Sequence, residues 1–444
     1  TLLLSANVLN NAQAQNPPVS LQDVNLIITT DTHGWVGGHI HNDFSPPLTA
    51  DYGAVSSFAS QVKELSASSP TASSDVFFLN NGDHVEGSGL SDATLYTTNT
   101  HGTSLFPIIS QMPYDVLNIG NHDLYDDATI DFMLSSNFIS SWNNTYLTSN
   151  TFKNTNDTLT RVGSPYVILP GSVTNRNYLF FGFLYHMTDS CPSITVTDPA
   201  LEVEEDWFAD ALEDGKGKDV SAIIVLTHAD VVDEAVYVIL AKIRATPGYE
   251  YIPVQFVTGH THYRGFKSLD YRSSSFEAGH YLDTVGMLTF DLPEKDDTDD
   301  LVWFNYYNYD ANKENLMNAV SLPSEASFDT PLGLQISAAI KSAIDELDLE
   351  RVVGCVDAAY SCSVPTNDSS SIYALYMDEI LMLGVTPDKN SSSAVHITST
   401  GTLRYDLFEG EFYYNDVFAV APFANTFVVV EGVGDTAMKT VRIG

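Results

Sequence analysis

The stretch Asp115-Val-Leu-Asn-Ile-Gly-Asn-His-Asp123 joins an apolar run to a glycine and three polar side chains that can bind a ligand. The same arrangement recurs, because short runs typical of buried strands end at polar residues in five places: residues 24–30, 75–79, 115–119, 221–227 and 254–258. Candidate helices cover residues 54–65, 202–212 and 233–245. This alternation predicts a layered α/β fold, in which active sites collect at the carboxyl ends of strands.

Side chains at these strand ends have the chemistry of metal ligands: Asp31, His33, Asp83, Asn121, His228, His260 and His262. Residues two apart in an extended segment point to the same side, so the Asp-x-His and His-x-His pairs can each present two ligands to one point. Each residue alone could be an ordinary polar group. Nitrogen and oxygen ligands without sulfur suit Zn, Mn, Fe or Co. The set exceeds the four ligands of one tetrahedral zinc, and it therefore predicts two divalent ions that share a carboxylate.

These motifs resemble those of the calcineurin-like metallophosphoesterases. Residues 21–289 resemble the catalytic domain of 5′-nucleotidases, especially those of the fungal secreted or vacuolar type. The resemblance implies a four-layer α/β/β/α sandwich with a partial α+β 5′-nucleotidase C-terminal domain. It also implies how the ligands divide: one ion would be held by Asp31, His33 and His262, the other by Asn121, His228 and His260, and both by Asp83.

The same resemblance implies that His122 is a catalytic residue and not a metal ligand. It would stabilise developing negative charge and protonate the leaving oxygen, and Asp123 would orient it and keep it protonated. Asn81 is predicted to contact a phosphate oxygen. His84 is placed at the rim of the site. Most of the remaining histidines are interpreted as structural or surface residues, and the full set is His39, His41, His84, His101, His186, His280 and His396.

The chain from residue 350 onward resembles the 5′-nucleotidase domain that reads the nucleoside. Arg404 matches an arginine of that family, and Phe423 matches a ring that stacks on the base. The segment also departs from the family, since Ser399 replaces an asparagine and residues 367–372 contain no arginine. The sequence ends before the region of a second stacking ring. Phe423 as a core residue and Arg404 as a surface ion pair are equally open alternatives.

The predicted organisation has four parts. A signal-peptide remnant and leader covers residues 1–20, a metallophosphoesterase domain 21–323, a linker helix 324–349 and a truncated C-terminal domain 350–444. An apolar start followed by an Ala-x-Ala pattern supports the remnant. Glycosylation sequons support a secretory route to the exterior or the vacuole: Asn143, Asn156, Asn367 and Asn390. No apolar run is long enough for a membrane span.

The charge balance limits the partners. The chain has 57 acidic and 19 basic residues and a net charge of −38, which argues against binding to nucleic-acid polymers or anionic lipid. Three cysteines are too few for a disulfide scaffold. A local disulfide between Cys355 and Cys362 is expected, and Cys191 would then be left over.

The sequence therefore predicts a secreted phosphohydrolase with two divalent ions and a small phosphate ester as its partner. It would convert nucleoside 5′-monophosphates to nucleoside and phosphate by attack of metal-bound hydroxide. A broader phosphomonoesterase, a phosphodiesterase or a nucleotide-sugar hydrolase is the alternative, because the predicted nucleoside pocket is incomplete. A metal-binding surface protein without turnover is a remote third class. Metal identity and oligomeric state stay open.

Overall fold

Two six-stranded sheets carry the predicted strand ends in the computed structural model, which describes residues 17–39, 41, 47–68, 73–294, 301–381 and 398–423. In chain order the strands are β1 (Val24–Thr29), β2 (Asp75–Asn80), β3 (Val116–Asn118), β4 (Tyr146–Leu147), β5 (Thr151–Thr155), β6 (Thr158–Arg161), β7 (Tyr166–Pro170), β8 (Asn177–Leu184), β9 (Ile194–Val196), β10 (Val220–His228), β11 (Val254–Thr258), β12 (Arg264–Asp270), β13 (Ser273–Ala278), β14 (Thr284–Phe290), β15 (Asn305–Asp310), β16 (Val352–Val356) and β17 (Gly410–Tyr413).

The parallel strands of both sheets bring their carboxyl ends to one edge. The first sheet has the order β15-β14-β1-β2-β3-β4. Strands β1 to β4 are parallel to one another, and β14 is antiparallel to both of its neighbours, β1 and β15. The second has the order β12-β13-β11-β10-β8-β7, in which β8, β10, β11 and β13 are parallel. Strands β5, β6 and β9 form a smaller sheet. The five predicted strands are confirmed as β1, β2, β3, β10 and β11.

Helices complete the layers. They are α1 (Tyr52–Ala67), α2 (Gly89–Asp92), α3 (Leu95–Thr98), α4 (Phe106–Ile109), α5 (Asp127–Ser135), α6 (Pro199–Glu202), α7 (Asp206–Gly217), α8 (Glu234–Ala245), α9 (Lys313–Ala319), α10 (Glu325–Phe328), α11 (Pro331–Glu346), α12 (Ile372–Leu375) and α13 (Tyr414–Val420). The predicted helix over residues 202–212 is two helices, α6 and α7, because the chain turns between them.

A buried apolar layer joins the two sheets face to face. Leu26 and Phe77 from the first sheet pack with Phe180 and Ile224 from the second. On the far side of the second sheet, a separate core packs its strands against α7 and α8. With α1 packed on the first sheet, the order of layers is α/β/β/α, which confirms the predicted fold class.

The chain divides into two compact units, residues 1–350 and 351–444. The predicted linker helix falls within the first unit, where α11 packs against α1. In the second unit, β16 pairs with β17, and a small core contains Ile372, Tyr376, Leu381 and Leu403.

The predicted disulfide between Cys355 and Cys362 is wrong, because both thiols are free. Cys355 lies in β16 opposite Glu411 and is exposed, whereas Cys362 is half-buried at the edge of the small core. Cys191, which was expected to be left over, is free and buried.

The features predicted for secretion fall partly outside the described residues. Residues 1–16 of the leader and Asn390 lie outside them, and so does His396, one of the remaining histidines. Asn143, Asn156 and Asn367 are exposed, and the first two have left-handed backbone at turns. Among the helices that the structure describes, none combines the length and the apolar character needed to cross a bilayer.

Two glycines let α1 and α11 approach closely. A Cβ atom at Gly333 would overlap the Oγ of Ser57 and the carbonyl oxygen of Gly53. A Cβ atom at Gly53 would overlap the Oγ of Ser337 and the carbonyl oxygen of Gly333. The backbones of the two helices are therefore in contact at this crossing, and larger residues would push them apart.

We expect Gly333→Ala to lower the free energy of unfolding by about 1–3 kcal/mol, because the added methyl group overpacks the crossing. Alanine has a higher helix propensity than glycine, so a loss of stability in this variant would come from the overlap at the crossing. Gly217→Ala is the control, since a Cβ atom there would meet nothing within 4 Å. Thermal unfolding of both variants measures the difference, and equal midpoints would contradict the close crossing.

Candidate metal centre

The predicted ligands converge from both sheets into two groups that share one carboxylate. Within the described residues, ligand atoms of Asp31, His33, Asp83 and His262 lie within 4.8 Å of one another. Those of Asp83, His228 and His260 do so as well. Asp31 and Asp83 follow β1 and β2 of the first sheet, whereas His228 and His260 belong to β10 and the turn after β11. The packing of the two sheets therefore sets the distances in the site.

The carboxylate of Asp83 is the centre of this arrangement. Its Oδ2 is fully buried and makes no hydrogen bond with any described residue. The Nε2 atoms of His228 and His33 lie 3.2 Å and 3.5 Å from this oxygen. A buried anionic oxygen without a hydrogen-bond donor is costly unless a cation compensates it.

Backbone carbonyls fix the orientation of both histidine rings. Nδ1 of His33 lies 2.7 Å from the carbonyl oxygen of Val85, and Nδ1 of His228 lies 2.7 Å from that of Asn81. A carbonyl only accepts hydrogen bonds, so each Nδ1 carries a proton and each Nε2 is turned toward the site. Both Nε2 atoms face the oxygen of Asp83, whose charge can be compensated by a proton on a ring or by a metal ion between them.

Asn121 completes the second group with an amide oxygen. Its Oδ1 lies 3.1 Å from Nε2 of His228 and 2.9 Å from Nδ1 of His260. Its Nδ2 donates to the hydroxyl of Tyr125 at 3.1 Å, which directs the oxygen toward the histidines. The site thus presents nitrogen and oxygen atoms without sulfur, and these residues fit the divalent ions predicted from the sequence.

The electrostatics of the site favour positive charge. Burial lowers the pKa of His228, but the carboxylates of Asp83 and Asp31 outweigh burial and raise it to about 10. Burial opposes ionisation of Asp83, while His228 and His122 hold its pKa well below the usual value. Two buried carboxylates therefore attract cations to one point.

Most of the ligands lie in strained turns. Left-handed backbone occurs at Asp31 (φ 49°), His33 (φ 46°), Asp83 (φ 55°), His260 (φ 78°) and His262 (φ 61°). Such conformations cost about 1–3 kcal/mol each and persist where the surrounding packing enforces them. The prediction that extended backbone pairs the ligands is therefore wrong, because tight turns bring them together.

A buried glutamate that the sequence analysis missed holds one of these turns. Oε2 of Glu277 in β13 accepts a hydrogen bond from the Thr261 hydroxyl at 2.6 Å, and Oε1 accepts one from the Tyr263 amide at 3.3 Å. Burial raises the pKa of Glu277 to about 8. An acidic residue in an otherwise buried strand was the available signal.

His122 lies beside the first ligand group. Its ring centroid is 4.8 Å from that of His33, and its amide donates to Oδ1 of Asp83 at 2.8 Å. The Nδ1 atom of His122 lies 2.5 Å from Oε2 of Glu86, a residue that the sequence analysis did not select. Glu86 lies three positions after Asp83, and this proximity was the only sequence signal.

Asp123 does not have the hydrogen bonds predicted for it. Its Oδ2 accepts from Nδ1 of His84 and from the Gly120 amide, each at 3.0 Å, and its Oδ1 accepts from the His84 amide at 3.0 Å. Consecutive residues of a 3₁₀ turn point in different directions, so Asp123 is buried while His122 is partly exposed. His84 is buried as well and is not at a rim.

Asn81 connects the two sheets. It is fully buried, and its side chain donates to the Thr227 carbonyl at 3.3 Å and accepts from Asn118 at 3.0 Å. Its own carbonyl orients His228. The predicted contact of Asn81 with a phosphate oxygen stays a prediction, and it would need the second N–H of the amide, which the bond to Thr227 leaves over.

The predicted nucleoside-binding residues lie in the second unit. The guanidinium of Arg404 lies over the ring of Phe423, 5.5 Å from its centroid. The amide of Arg404 donates to the Val420 carbonyl at 2.9 Å. Substrate binding by these two residues stays a prediction.

Comparison with known proteins identifies the family. The sequence matches the family model described as calcineurin-like phosphoesterase over residues 24–264. The chain belongs to the calcineurin-like phosphoesterase family. A second model, the NAD nucleotidase C-terminal domain, matches residues 359–442. These matches and the fold make this phosphoesterase a metal-dependent phosphoester hydrolase of the 5′-nucleotidase family, which confirms the predicted enzyme class.

Related proteins and structures agree with this family. An uncharacterized protein of Schizosaccharomyces pombe is 32% identical, over 92% of this chain and 70% of its own length. One from Saccharomyces cerevisiae is 30% identical, over 93% and 69%. A crystal structure of a 5′-nucleotidase from Candida albicans has a TM-score of 0.80 and 27% identity, over 92% of this chain and 73% of that one.

We expect Asp83→Asn to reduce bound metal to less than half of the wild-type content, because both ligand groups lose their shared charge. Metal content after loading with Zn and dialysis is measured by mass spectrometry. Asp270→Asn is the control, since Asp270 is paired with Arg244 at 2.8 Å and belongs to neither group. Unchanged metal content in a folded Asp83→Asn protein would contradict the shared role.

Proposed function

We propose that this phosphoesterase hydrolyses nucleoside 5′-monophosphates to nucleoside and phosphate, with two divalent ions held by the two ligand groups. The observation that carries the proposal is the buried Asp83 oxygen shared by both groups. Bound ions would neutralise charge on the phosphoryl group and activate water for attack on phosphorus. We propose the ligand division inferred from the sequence, with Asn121 in the second group.

The chain's own residues supply the remaining chemistry. His122 would place its Nε2 at the leaving oxygen, because Nδ1 faces Glu86 on the other side of the ring. His260 and His262 are half-buried, so the site opens to solvent on their side. A phosphate ester can approach there without reorganisation of the buried ligands.

Similarity to other proteins supports the nucleotide assignment. The Candida albicans structure is described as a 5′-nucleotidase, and the matched C-terminal model is described as part of a NAD nucleotidase. A broader phosphomonoesterase is the second candidate. It is favoured by the contact of Arg404 with Phe423, which covers a ring face predicted to stack on a base.

Metal-loaded protein is expected to release phosphate from AMP faster than from p-nitrophenyl phosphate or its bis-ester, and a chelator should abolish release. His122→Ala should lower kcat on AMP about 10²–10⁴-fold with metal content unchanged. His186→Ala is the matched control, since its side chain is exposed and paired with Asp198. Full activity of His122→Ala would rule out its role, and faster release from p-nitrophenyl phosphate would favour the broader phosphomonoesterase.

We also propose that the protein follows the secretory pathway. A relative from Arthroderma benhamiae, 29% identical over 92% of this chain and 65% of its own length, is named a secreted protein. The exposed sequons at Asn143, Asn156 and Asn367 are accessible to glycosylation.

Protein expressed in yeast with a signal peptide should therefore lose mass on treatment with an endoglycosidase. Replacing the three sequon asparagines with glutamine should remove this loss, apart from any contribution of Asn390. Secreted protein of unmodified mass would contradict the assignment.

A further inference from the structure

A carboxylate other than Asp123 contacts the proposed catalytic histidine. Oε2 of Glu86 lies 2.5 Å from Nδ1 of His122. Glu86 is 9% exposed and has left-handed backbone, with φ at 64°. Its amide donates to the hydroxyl of Ser91 at 2.9 Å, which anchors the turn. The side chain is therefore held in place and is not a mobile surface acid.

The contact continues into a buried chain of ionisable groups. Oε1 of Glu86 lies 3.5 Å from Nε2 of His101, and Nδ1 of His101 lies 2.9 Å from Oδ1 of Asp92. Asp92 in turn accepts from the Gly87 amide at 2.8 Å. Burial lowers the pKa of His101, but Asp92 and Glu86 outweigh burial and raise it above the usual value. His101 therefore bridges the carboxylates of Glu86 and Asp92 and holds the Glu86 side chain in place.

We propose that Glu86, held by His101 and Asp92, is the positioning residue of His122 in the hydrolysis of phosphate esters. The proposal rests on the proposed function, because it requires His122 to donate a proton. Asp123 is already committed to His84 and the Gly120 amide. Glu86 accepts the Nδ1 proton, so Nε2 is the nitrogen that can reach a substrate.

Atoms and protons balance in the proposed hydrolysis step. The oxygen of water forms a bond to phosphorus, the bond from phosphorus to the ester oxygen breaks, and Nε2–H of His122 gives its proton to that oxygen. A proton from water restores His122 over the cycle, so the net reaction consumes one water and yields alcohol and phosphate. Glu86 exchanges no proton in this balance, because its carboxylate only accepts the hydrogen bond from Nδ1 and fixes the orientation of the ring.

Leaving groups of different basicity test the role. AMP and glycerol phosphate release alkoxides that need a proton, whereas p-nitrophenolate leaves without one. We expect Glu86→Gln to lower kcat on both alkyl esters about 10²-fold, to lower kcat on p-nitrophenyl phosphate less than about tenfold, and to leave KM unchanged. His101→Gln should lower kcat on the alkyl esters by about tenfold.

Matched variants separate positioning from folding. Glu202→Gln removes another buried carboxylate, paired with Arg161 at 2.7 Å, and should change stability but not the ratio of rates on the two classes of ester. Metal content of Glu86→Gln should equal that of the wild type. Equal losses on all three esters, or a change confined to KM, would overturn the proposal.

A spectroscopic measurement distinguishes this inference from the proposed function. In Zn-loaded protein labelled with ¹⁵N at histidine, the Nδ1 of His122 should carry a strongly deshielded proton, assigned by its loss in His122→Ala. Glu86→Gln should shift this resonance upfield, and an unchanged resonance would overturn the pairing. Wild-type protein that shows the pairing but hydrolyses glycerol phosphate and not AMP would remove the nucleotide assignment and keep the positioning role. Wild-type protein inactive on every ester would overturn both.

Discussion

The buried carboxylate of Asp83 is the constraint on which the site depends. One of its oxygens faces two histidine nitrogens and receives no hydrogen bond from the described residues. Burial of an uncompensated negative charge is among the largest penalties in a folded protein. Positive charge is therefore strongly favoured at this point. The carbonyls of Val85 and Asn81 hold the two histidine rings so that Nε2 faces the carboxylate.

The position of this carboxylate depends on the packing of two sheets. Asp83 comes from the first sheet and His228 from the second, and the apolar layer between them fixes their separation. The polar side chain of Asn81 reinforces that layer at the edge nearest the ligands. Gly82 and Gly120 contribute at closest range, since a Cβ atom at either would overlap the opposite turn. Interior packing thus preorganises the ligands, and the core stabilises turns that are unfavourable on their own.

The sequence predicted the parts of this arrangement that follow from local pattern. Buried strands that end at polar residues identified β1, β2, β3, β10 and β11, and strand ends that share an edge brought the ligands together. Tertiary contacts between distant residues left no such pattern. His122 and Asp123 are neighbours in sequence, but the 3₁₀ turn separates their side chains. The partner of His122 is Glu86, 36 positions earlier in the chain. Likewise, the spacing of Cys355 and Cys362 could not show that Cys355 lies in β16, opposite Glu411 of β17.

The turn after β2 carries two acidic residues with different contacts, Asp83 and Glu86. Asp83 belongs to both ligand groups, and Glu86 contacts the proposed proton donor His122, yet both acids have left-handed backbone in one short segment. The backbone amide of His122 also donates to Asp83, so His122 is bonded to both acids, through its amide to Asp83 and through its ring to Glu86. Movement of this turn would displace a candidate metal ligand and the proposed proton donor together. In the proposed mechanism the strain in this segment has a functional consequence, because it fixes the distance between the carboxylate shared by the two ligand groups and the proposed proton donor.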